Sequence, residues 1–498
     1  MQNQDIQQLK HGGSDIYHVK ELKEDYSVTT NFLGPNLAGI RCMNDNIYQI
    51  NHYPSENKSF FKEGLDFLGV RESNVMWGNG ASELIDLVIR TLVKSNGYSS
   101  YSKFNGVQYM EYERCCLNNQ LVKESNGDIL LIINPNNPTG DFYEKDDIKR
   151  QINLLKSGST VIIDESMVFW YGPEWRLQSF LSEENFILSL KSNKNINVIM
   201  VQSWTKIFAC TGLRFGSIVC FDPELINQFE KHKTPWSANI LSYYYLKGCL
   251  SDMKYLEETW KQTPILRSRI QNKIIELFPF AEVKGHGFLS WLWVDFKFSD
   301  IADMIYSKSL EYGVPVRHGK TGYAQPTYIR FAVRADNSNA ILFDMLANVK
   351  ANKIRVPNYY FPLPGNLVYG IIKIPLDKIK SHEEHIVERK SKLLEYLNEN
   401  DYFVLPSMIL DSANFVVLDG HHRLNILKEL GKTEEFVLLV NYNSEAIIPH
   451  ETNNVTKKEI IEAGLSGKLL PAKSSKHVFI DSDGVKRPLV SLSVIVNN

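Results

Sequence analysis

The chain has 498 residues, of which 43% are hydrophobic and 22% charged, with a formal net charge of −2; this excludes a disordered, collagenous or coiled-coil protein and argues against general nucleic-acid binding. No apolar run reaches the roughly 18 residues of a membrane-spanning helix, the six cysteines form no C-x-x-C pair, and the Met1-Gln-Asn-Gln-Asp start does not read as a signal peptide. The expectation is a cytoplasmic protein of two to four domains, with neither nucleic acid nor membrane as partner.

In chain order, Gly78-Asn-Gly-Ala-Ser-Glu83 comes first: a glycine-rich turn opens a predicted helix and offers backbone N–H groups to a phosphate. Three short apolar runs follow, at 129–134, 160–164 and 197–201, with room between them for crossover helices. They read as buried parallel strands of an α/β sheet, in which ligands sit at the carboxyl ends. Asn137 (in Asn134-Pro-Asn-Asn-Pro-Thr-Gly140), Asp164 and the residues after Val201 fall at those ends. The segment Ser203-Trp-Thr-Lys-Ile-Phe-Ala-Cys-Thr-Gly-Leu-Arg-Phe-Gly216 carries the most chemistry. A lysine just past a strand can form a Schiff base, and nearby hydroxyls and a guanidinium suit a phosphate on the same aldehyde cofactor. Alone, it also reads as a capped helix with a surface Lys and Arg. Its company points to the cofactor: Asn137 can donate to a ring hydroxyl, and a carboxylate at Asp164 can keep a pyridine nitrogen protonated.

Pro357, Pro362 and Pro364 mark a linker at 351–364, which separates a domain at 1–350 from one at 365–498. Residues 352–498 carry 18 Lys+Arg and 18 Asp+Glu, so no basic face for DNA is expected there. Phe415-Val-Val-Leu-Asp-Gly-His-His-Arg-Leu-Asn425 reads as a strand, a glycine turn and a helix opening with His421, His422 and Arg423. Three groups able to carry positive charge at a helix N-terminus make an anion site, with Asp419 beside it for a metal or a hydroxyl. Adjacent histidines do not face one another along a helix, which disfavours a metal pair on them. No G-x-x-x-x-G-K-[ST] loop is present.

On these motifs, residues 1–350 resemble the fold-type I pyridoxal-phosphate enzymes of the class I/II aminotransferase superfamily, an α/β fold with a parallel-rich sheet flanked by helices plus a small α+β domain. The resemblance implies pyridoxal 5′-phosphate, with Lys206 as its Schiff-base lysine, Asp164 on the pyridine nitrogen and Asn137 on the ring oxygen. It implies Gly80, Ala81, Ser82, Ser203 and Arg214 around the cofactor phosphate. Gln108-Tyr-Met-Glu-Tyr-Glu-Arg114 is similar to the segment that supplies a ring-stacking aromatic, with Tyr109 favoured over Tyr112. Tyr53, in His52-Tyr-Pro, matches a tyrosine lent to the neighbouring subunit, which implies a homodimer. Tyr328-Ile-Arg-Phe-Ala-Val-Arg334 matches the segment whose arginine, here Arg330, grips the substrate carboxylate. His11-Gly-Gly and Thr234-Pro-Trp-Ser-Ala-Asn239 resemble threonine-phosphate decarboxylase more than histidinol-phosphate aminotransferase. That places His11, Asn31 and Arg334 on the substrate, His11 and Arg334 near its phosphate. Met167 stands where aminotransferases commonly carry tyrosine.

Residues 365–498 resemble the free serine kinases of the ParB/sulfiredoxin-like α+β superfamily. The likeness rests on Asp419–Arg423, on Lys380-Ser-His-Glu-Glu-His385, and on Pro471-Ala-Lys-Ser-Ser-Lys-His477. It implies ATP or ADP as phosphoryl donor and Mg2+ near Asp419, with Glu383 or Glu384 as base, Glu383 preferred. It assigns Gly420, His421, His422, Arg423, Lys473, Ser474, Ser475, Lys476 and His477 to the nucleotide phosphates. Together the halves imply a bifunctional enzyme: L-serine becomes O-phospho-L-serine, then O-phosphoethanolamine. Two other readings stand beside it: an aminotransferase acting on phosphoserine or a similar phosphorylated amino acid, and a ParB-like regulatory or nucleotide-sensing module in the second half.

Overall fold

The computed structural model describes residues 12–278, 281–297, 299–351, 367–384, 386, 391, 402–450, 454–481, 484–489 and 493–497. His11 and, apart from Ala351, the predicted linker at 351–364 lie outside them. The chain forms two compact units, Met1–Asn352 and Lys353–Asn498.

The first unit is built on a seven-stranded sheet: β1 (Val75–Gly78), β2 (Ser100–Lys103), β3 (Val122–Lys123), β4 (Ile129–Ile133), β5 (Thr160–Asp164), β6 (Asn197–Ser203) and β7 (Gly216–Val219), in the spatial order β1-β7-β6-β5-β4-β2-β3. β2 to β6 pair in parallel, while β7 runs antiparallel to both β6 and β1. The three apolar runs are its central strands. Their side chains alternate: Leu130, Ile132, Val161, Ile163 and Val198 pack into one core, and Ile129, Leu131, Ile133, Ile162 and Ile199 into another. Both faces are covered, so these strands are apolar throughout rather than at every second residue. In register, Ile133 stands beside Asp164 and Asp164 beside Val201, which brings three strand ends to one edge.

A smaller antiparallel sheet follows, β8 (Glu282–Lys284), β9 (Trp291–Asp295), β10 (Arg317–His318) and β11 (Tyr328–Ala332), in the order β10-β11-β9-β8. The second unit has a four-stranded sheet of β12 (Val368–Pro375), β14 (Met408–Asp411), β15 (Val417–Asp419) and β16 (Glu434–Val440), ordered β12-β16-β14-β15. A β13 (Tyr402–Pro406) pair with β20 (Ser493–Asn497) and a three-stranded sheet of β17 (Ile447–Pro449), β18 (His477–Ile480) and β19 (Lys486–Pro488) complete it. Helix His421–Glu429 leaves β15 through Gly420, whose φ of +114° fits glycine best. Among the described residues no helix is long and apolar enough to cross a membrane.

Candidate active site

The carboxyl ends of β4, β5 and β6 open into a cavity of about 410 Å³. Lys206 stands three residues past β6, and Arg214 lies in the same connection just before β7. Ala81, Ser82, Tyr109, Asn137, Asp164, Ser203, Lys206, Arg214 and Arg330, all singled out from sequence, line this one space.

One end of the cavity is built for an anion. Helix Ala81–Asn96 starts there with no side chain capping it, so its first N–H groups and the positive end of its dipole face the cavity. Gly80, at its N-cap, has φ +83°, and a Cβ there would lie 2.5 Å from Nη2 of Arg214. Ser203 and Thr205 pair their hydroxyls at 3.0 Å beside it. At the other end, Asp164 accepts the Ser166 N–H on Oδ1 at 2.8 Å and the Tyr112 hydroxyl on Oδ2 at 2.9 Å. Between them is Lys206. Burial first, then the nearby Arg330 and Arg214, push its ammonium down to about 8, so a useful fraction is a free amine near neutral pH.

Arg330 donates from Nη1 to Asn137 Oδ1 at 2.6 Å and from Nη2 to the Ser27 carbonyl at 2.7 Å, and its buried Nε has no protein partner. Directly across the β10–β11 ladder stands Arg317, also buried and also lining the cavity. Sequence reading missed Arg317. The alternation of Val314-Pro-Val-Arg317 into a short strand was a signal, but its pairing with Arg330 depends on register. Glu111, Ser166, Thr205 and Tyr323 are further lining residues not anticipated.

Three expected residues lie elsewhere. Arg334 is not on the cavity wall: its guanidinium donates to the carbonyls of Asp25, Val28, Thr30 and Val333 and to Glu24, so the substrate-phosphate role expected of it has no free donor geometry. Asn31 is buried, its amide donating to the Ile207 carbonyl and to Thr259 Oγ1. Tyr53 is 75% exposed and stacks on Trp236 at 4.3 Å. Gly12, next to the undescribed His11, does line the cavity. Of the two candidate tyrosines, Tyr109 lines the cavity and Tyr112 sits in the core behind it.

The second unit gathers its motif residues as well. Glu383 is buried, and its carboxylate accepts the Lys473 N–H at 3.1 Å, the Ser474 hydroxyl at 3.3 Å, and both the N–H and the hydroxyl of Ser475. His382 contacts Ser475 Oγ and, at 3.1 Å, Nε2 of His421. Glu384, Lys473 and Lys476 are exposed. The positive charge expected at the start of helix His421–Glu429 is corrected by burial. His421 is held well below its usual value by desolvation, then by His382 and His477, and His477 is pushed down to about 3 by desolvation and His382. His422 accepts the Ile386 N–H on Nε2 at 3.0 Å, a bond that needs an unprotonated ring nitrogen. Arg423 pairs with Asp419 and donates to the Ser407 carbonyl at 2.9 Å, so Asp419, assigned to a metal, already holds a cation. Among the described residues no group of three or more His, Cys, Asp or Glu could hold a metal ion.

Comparison with known proteins agrees with the first unit. Histidinol-phosphate aminotransferase 1 of Psychrobacter arcticus is 23% identical over 359 residues, covering 66% of this chain and 90% of that protein. The histidinol-phosphate aminotransferase of Thermococcus gammatolerans is 28% identical over 244 residues, 46% of this chain and 66% of that protein. Among solved structures, histidinol-phosphate aminotransferase from Sinorhizobium meliloti, in complex with pyridoxal-5′-phosphate, superposes with a TM-score of 0.60 at 17% identity, over 69% of this chain and 95% of that one. L-threonine-O-3-phosphate decarboxylase from Porphyromonas gingivalis superposes with a TM-score of 0.55 at 20% identity, over 65% and 98%. The family model for aminotransferase class I and II matches residues 46–344, so the chain belongs to that family.

Proposed function

We propose that the first unit is a pyridoxal-phosphate enzyme for a small amino acid carrying a second anionic group, and that it decarboxylates O-phospho-L-serine to O-phosphoethanolamine. The observation that carries this reading is the Arg317–Arg330 pair. Two buried guanidiniums on directly opposed residues repel each other, and a substrate with both a carboxylate and a phosphate relieves that repulsion. Arg330, which lines the cavity and whose buried Nε has no protein partner, suits the carboxylate, and Arg317 takes the phosphate.

The residues fit the cofactor. The uncapped helix end, Ser203, Thr205 and an Arg214 that only a glycine at position 80 lets in form a phosphate cradle. Lys206 would supply the amine for the aldehyde, Asn137 would hold the ring oxygen, Tyr109 would stack on the ring, and Asp164 would hold the ring nitrogen. When bound, the cofactor supplies an electron sink that weakens bonds at the substrate's Cα. In decarboxylation the Cα–carboxylate bond breaks, carbon dioxide leaves, and Cα takes a proton, which Lys206 is placed to deliver.

Met167 lines the cavity as an apolar wall, and with the likeness of 11–13 and 234–239 it supports decarboxylation. The names of the curated relatives favour a second reading, transamination of the same class of substrate. Carboxyl-labelled O-phospho-L-serine decides. Release of labelled carbon dioxide with phosphoethanolamine, without added keto acid, is expected. Consumption that requires a keto acid and releases no carbon dioxide establishes transamination, and no turnover either way removes phosphoserine as substrate.

For the second unit we propose a serine kinase. The serine hydroxyl would attack the terminal phosphorus of ATP or ADP, the bond to the nucleotide would break, and the hydroxyl proton would pass to Glu383; Mg2+ would arrive on the nucleotide's own phosphates, since Asp419 is paired with Arg423. Support comes from Glu383, Ser474, Ser475, His382 and His421 meeting at one place. Phosphorus NMR of Lys206→Ala protein with L-serine, Mg2+ and either nucleotide should show phosphoserine accumulating. Its absence with both donors turns the unit into a regulatory module. The exposed Tyr53, outside its own chain's cavity, supports a homodimer in which it serves the neighbouring site.

A further inference from the structure

Tyr109 and Tyr112 lie one helical turn apart but do different work. Tyr109 precedes helix Glu111–Asn118 and faces the cavity, whereas Tyr112, 1% exposed, lies among the core side chains that include Ile133 and Ile162. Its hydroxyl is not idle there. It reaches Asp164 Oδ2 at 2.9 Å, while the Ser166 N–H reaches Oδ1 at 2.8 Å. Each carboxylate oxygen therefore has its own donor, one from the strand–loop junction behind it and one from a helix on another element. Donors on both oxygens, with the Ser166 side chain as a further one, fix the carboxyl plane as well as its position.

The electrostatics point the same way. Asp164 lies in the interior, where burial raises its affinity for a proton, and the Ser166 and Tyr112 donors oppose that rise by stabilising the anion. Burial and the charge of Asp164 push the Tyr112 phenol well above its usual range, so it stays a donor at every working pH. A buried carboxylate stripped of one donor becomes the stronger base.

We propose that Tyr112 is a positioning residue for the cofactor: by donating to Asp164 it keeps the shared proton on the ring nitrogen rather than on the carboxyl. This rests on the reading of Asp164 as the partner of that nitrogen. Weakening the donor moves the proton toward Asp164 and makes the ring a poorer electron sink, with no loss of any contact to the substrate.

The test uses the holoenzyme loaded with pyridoxal phosphate labelled with nitrogen-15 in the ring, whose resonance reports the protonation of that nitrogen directly. In Tyr112→Phe the resonance should move toward the unprotonated position at neutral pH. kcat should fall about tenfold or more, the size of one hydrogen bond to a charged group, while KM stays within about twofold. Replacing Tyr112 by 3-fluorotyrosine, a more acidic and stronger donor of nearly the same shape, should move the resonance further toward the protonated position at neutral pH. If both variants titrate like the parent, Tyr112 only packs and the inference falls. Should Tyr112→Phe fail to fold, the fluorotyrosine protein decides alone. Asp164→Asn separates the two levels: if it leaves the resonance unmoved, the reading of Asp164 has failed, whereas a shift in Asp164→Asn with none in the Tyr112 variants overturns this inference only.

Discussion

Gly80→Ala tests the phosphate cradle where it is narrowest. Gly80 combines φ +83° with ψ +161°, a backbone region open essentially to glycine. Alanine there costs about 1–3 kcal/mol of folded stability, with or without cofactor. Its Cβ would also stand 2.5 Å from Nη2 and 3.0 Å from Cζ of Arg214, so the guanidinium must withdraw toward the 3.4 Å of ordinary contact. Losing one charge-assisted hydrogen bond to the phosphate removes about 1.5–3 kcal/mol of binding, roughly a 10- to 100-fold rise in Kd for pyridoxal phosphate. The two effects separate in titrations of apoprotein and in thermal melts. Gly97→Ala is the control: Gly97 closes the same helix at φ +67° with nothing within 4 Å of its would-be Cβ. It should lower stability by about 1–2 kcal/mol and leave Kd unchanged. Parent-like affinity in Gly80→Ala would falsify the account of Arg214 as a phosphate ligand.

Arg317, which sequence reading missed, and Arg334, which it placed on the substrate, should separate in assay. Arg317→Ala should raise KM for O-phospho-L-serine about 100-fold, near the strength of a bidentate charge-assisted contact. Its ligand-free melting temperature should stay level or rise, because the repulsion with Arg330 is gone; an unchanged KM would remove Arg317 from the substrate. Arg334→Ala should destabilise by about 3–5 kcal/mol, since it leaves a buried set of acceptors without their cation, and a parent-like melt refutes that. Glu165 is buried, accepting the Ser179 hydroxyl at 2.5 Å and the Phe180 N–H at 2.6 Å, and burial raises it to about 7. Because the folded value lies above the unfolded one, this stability is present in full below pH 4.5 and is lost as pH rises through 7. Glu165→Gln should flatten that decline and exceed the parent by about 3 kcal/mol at pH 8; parallel denaturation curves at pH 5 and pH 8 would count against it. Borohydride trapping of pyridoxal phosphate by apoprotein should quicken with pH and level off above about 8, the value to which Lys206 is lowered. A midpoint near that of an ordinary lysine would show that Lys206 is not so perturbed.

Much of this site could be read from sequence because its residues sit where local pattern fixes them. Continuous apolar runs mark strands covered on both faces, and Asp164 and Lys206 follow those strands at the edge where ligands collect. Arg317 escaped because its meaning lies in the β10–β11 register, which no local motif carries. Arg334 was visible as an arginine, but its partners at 24–30 come from the far end of the unit and consume its donors. In the second unit the histidine motif was legible and its charge was not. Whether an imidazole is protonated depends on how deeply the rest of the chain buries it, and His421 and His477 are buried among other histidines. β7 was likewise unforeseen as the antiparallel member of the sheet, since an apolar strand gives no local sign of its direction.

Residues 23–31 form a stitched seam rather than a loop. Lys23 and Glu24 donate to the Gly313 carbonyl, Ala332 donates to Tyr26, Arg330 to Ser27, Ser290 to Thr29, Arg334 to the carbonyls of Asp25, Val28 and Thr30, and Asn31 to Lys206. This seam supplies Ser27, Val28 and Thr29 to the cavity wall, and swinging it outward would strip acceptors from two buried arginines at once. The seam is therefore ill suited to opening for substrate or product. The Gly319–Gln325 turn, whose Tyr323 also borders the cavity, is more exposed and is closed by the Gln325 N–H to the Gly319 carbonyl at 3.0 Å.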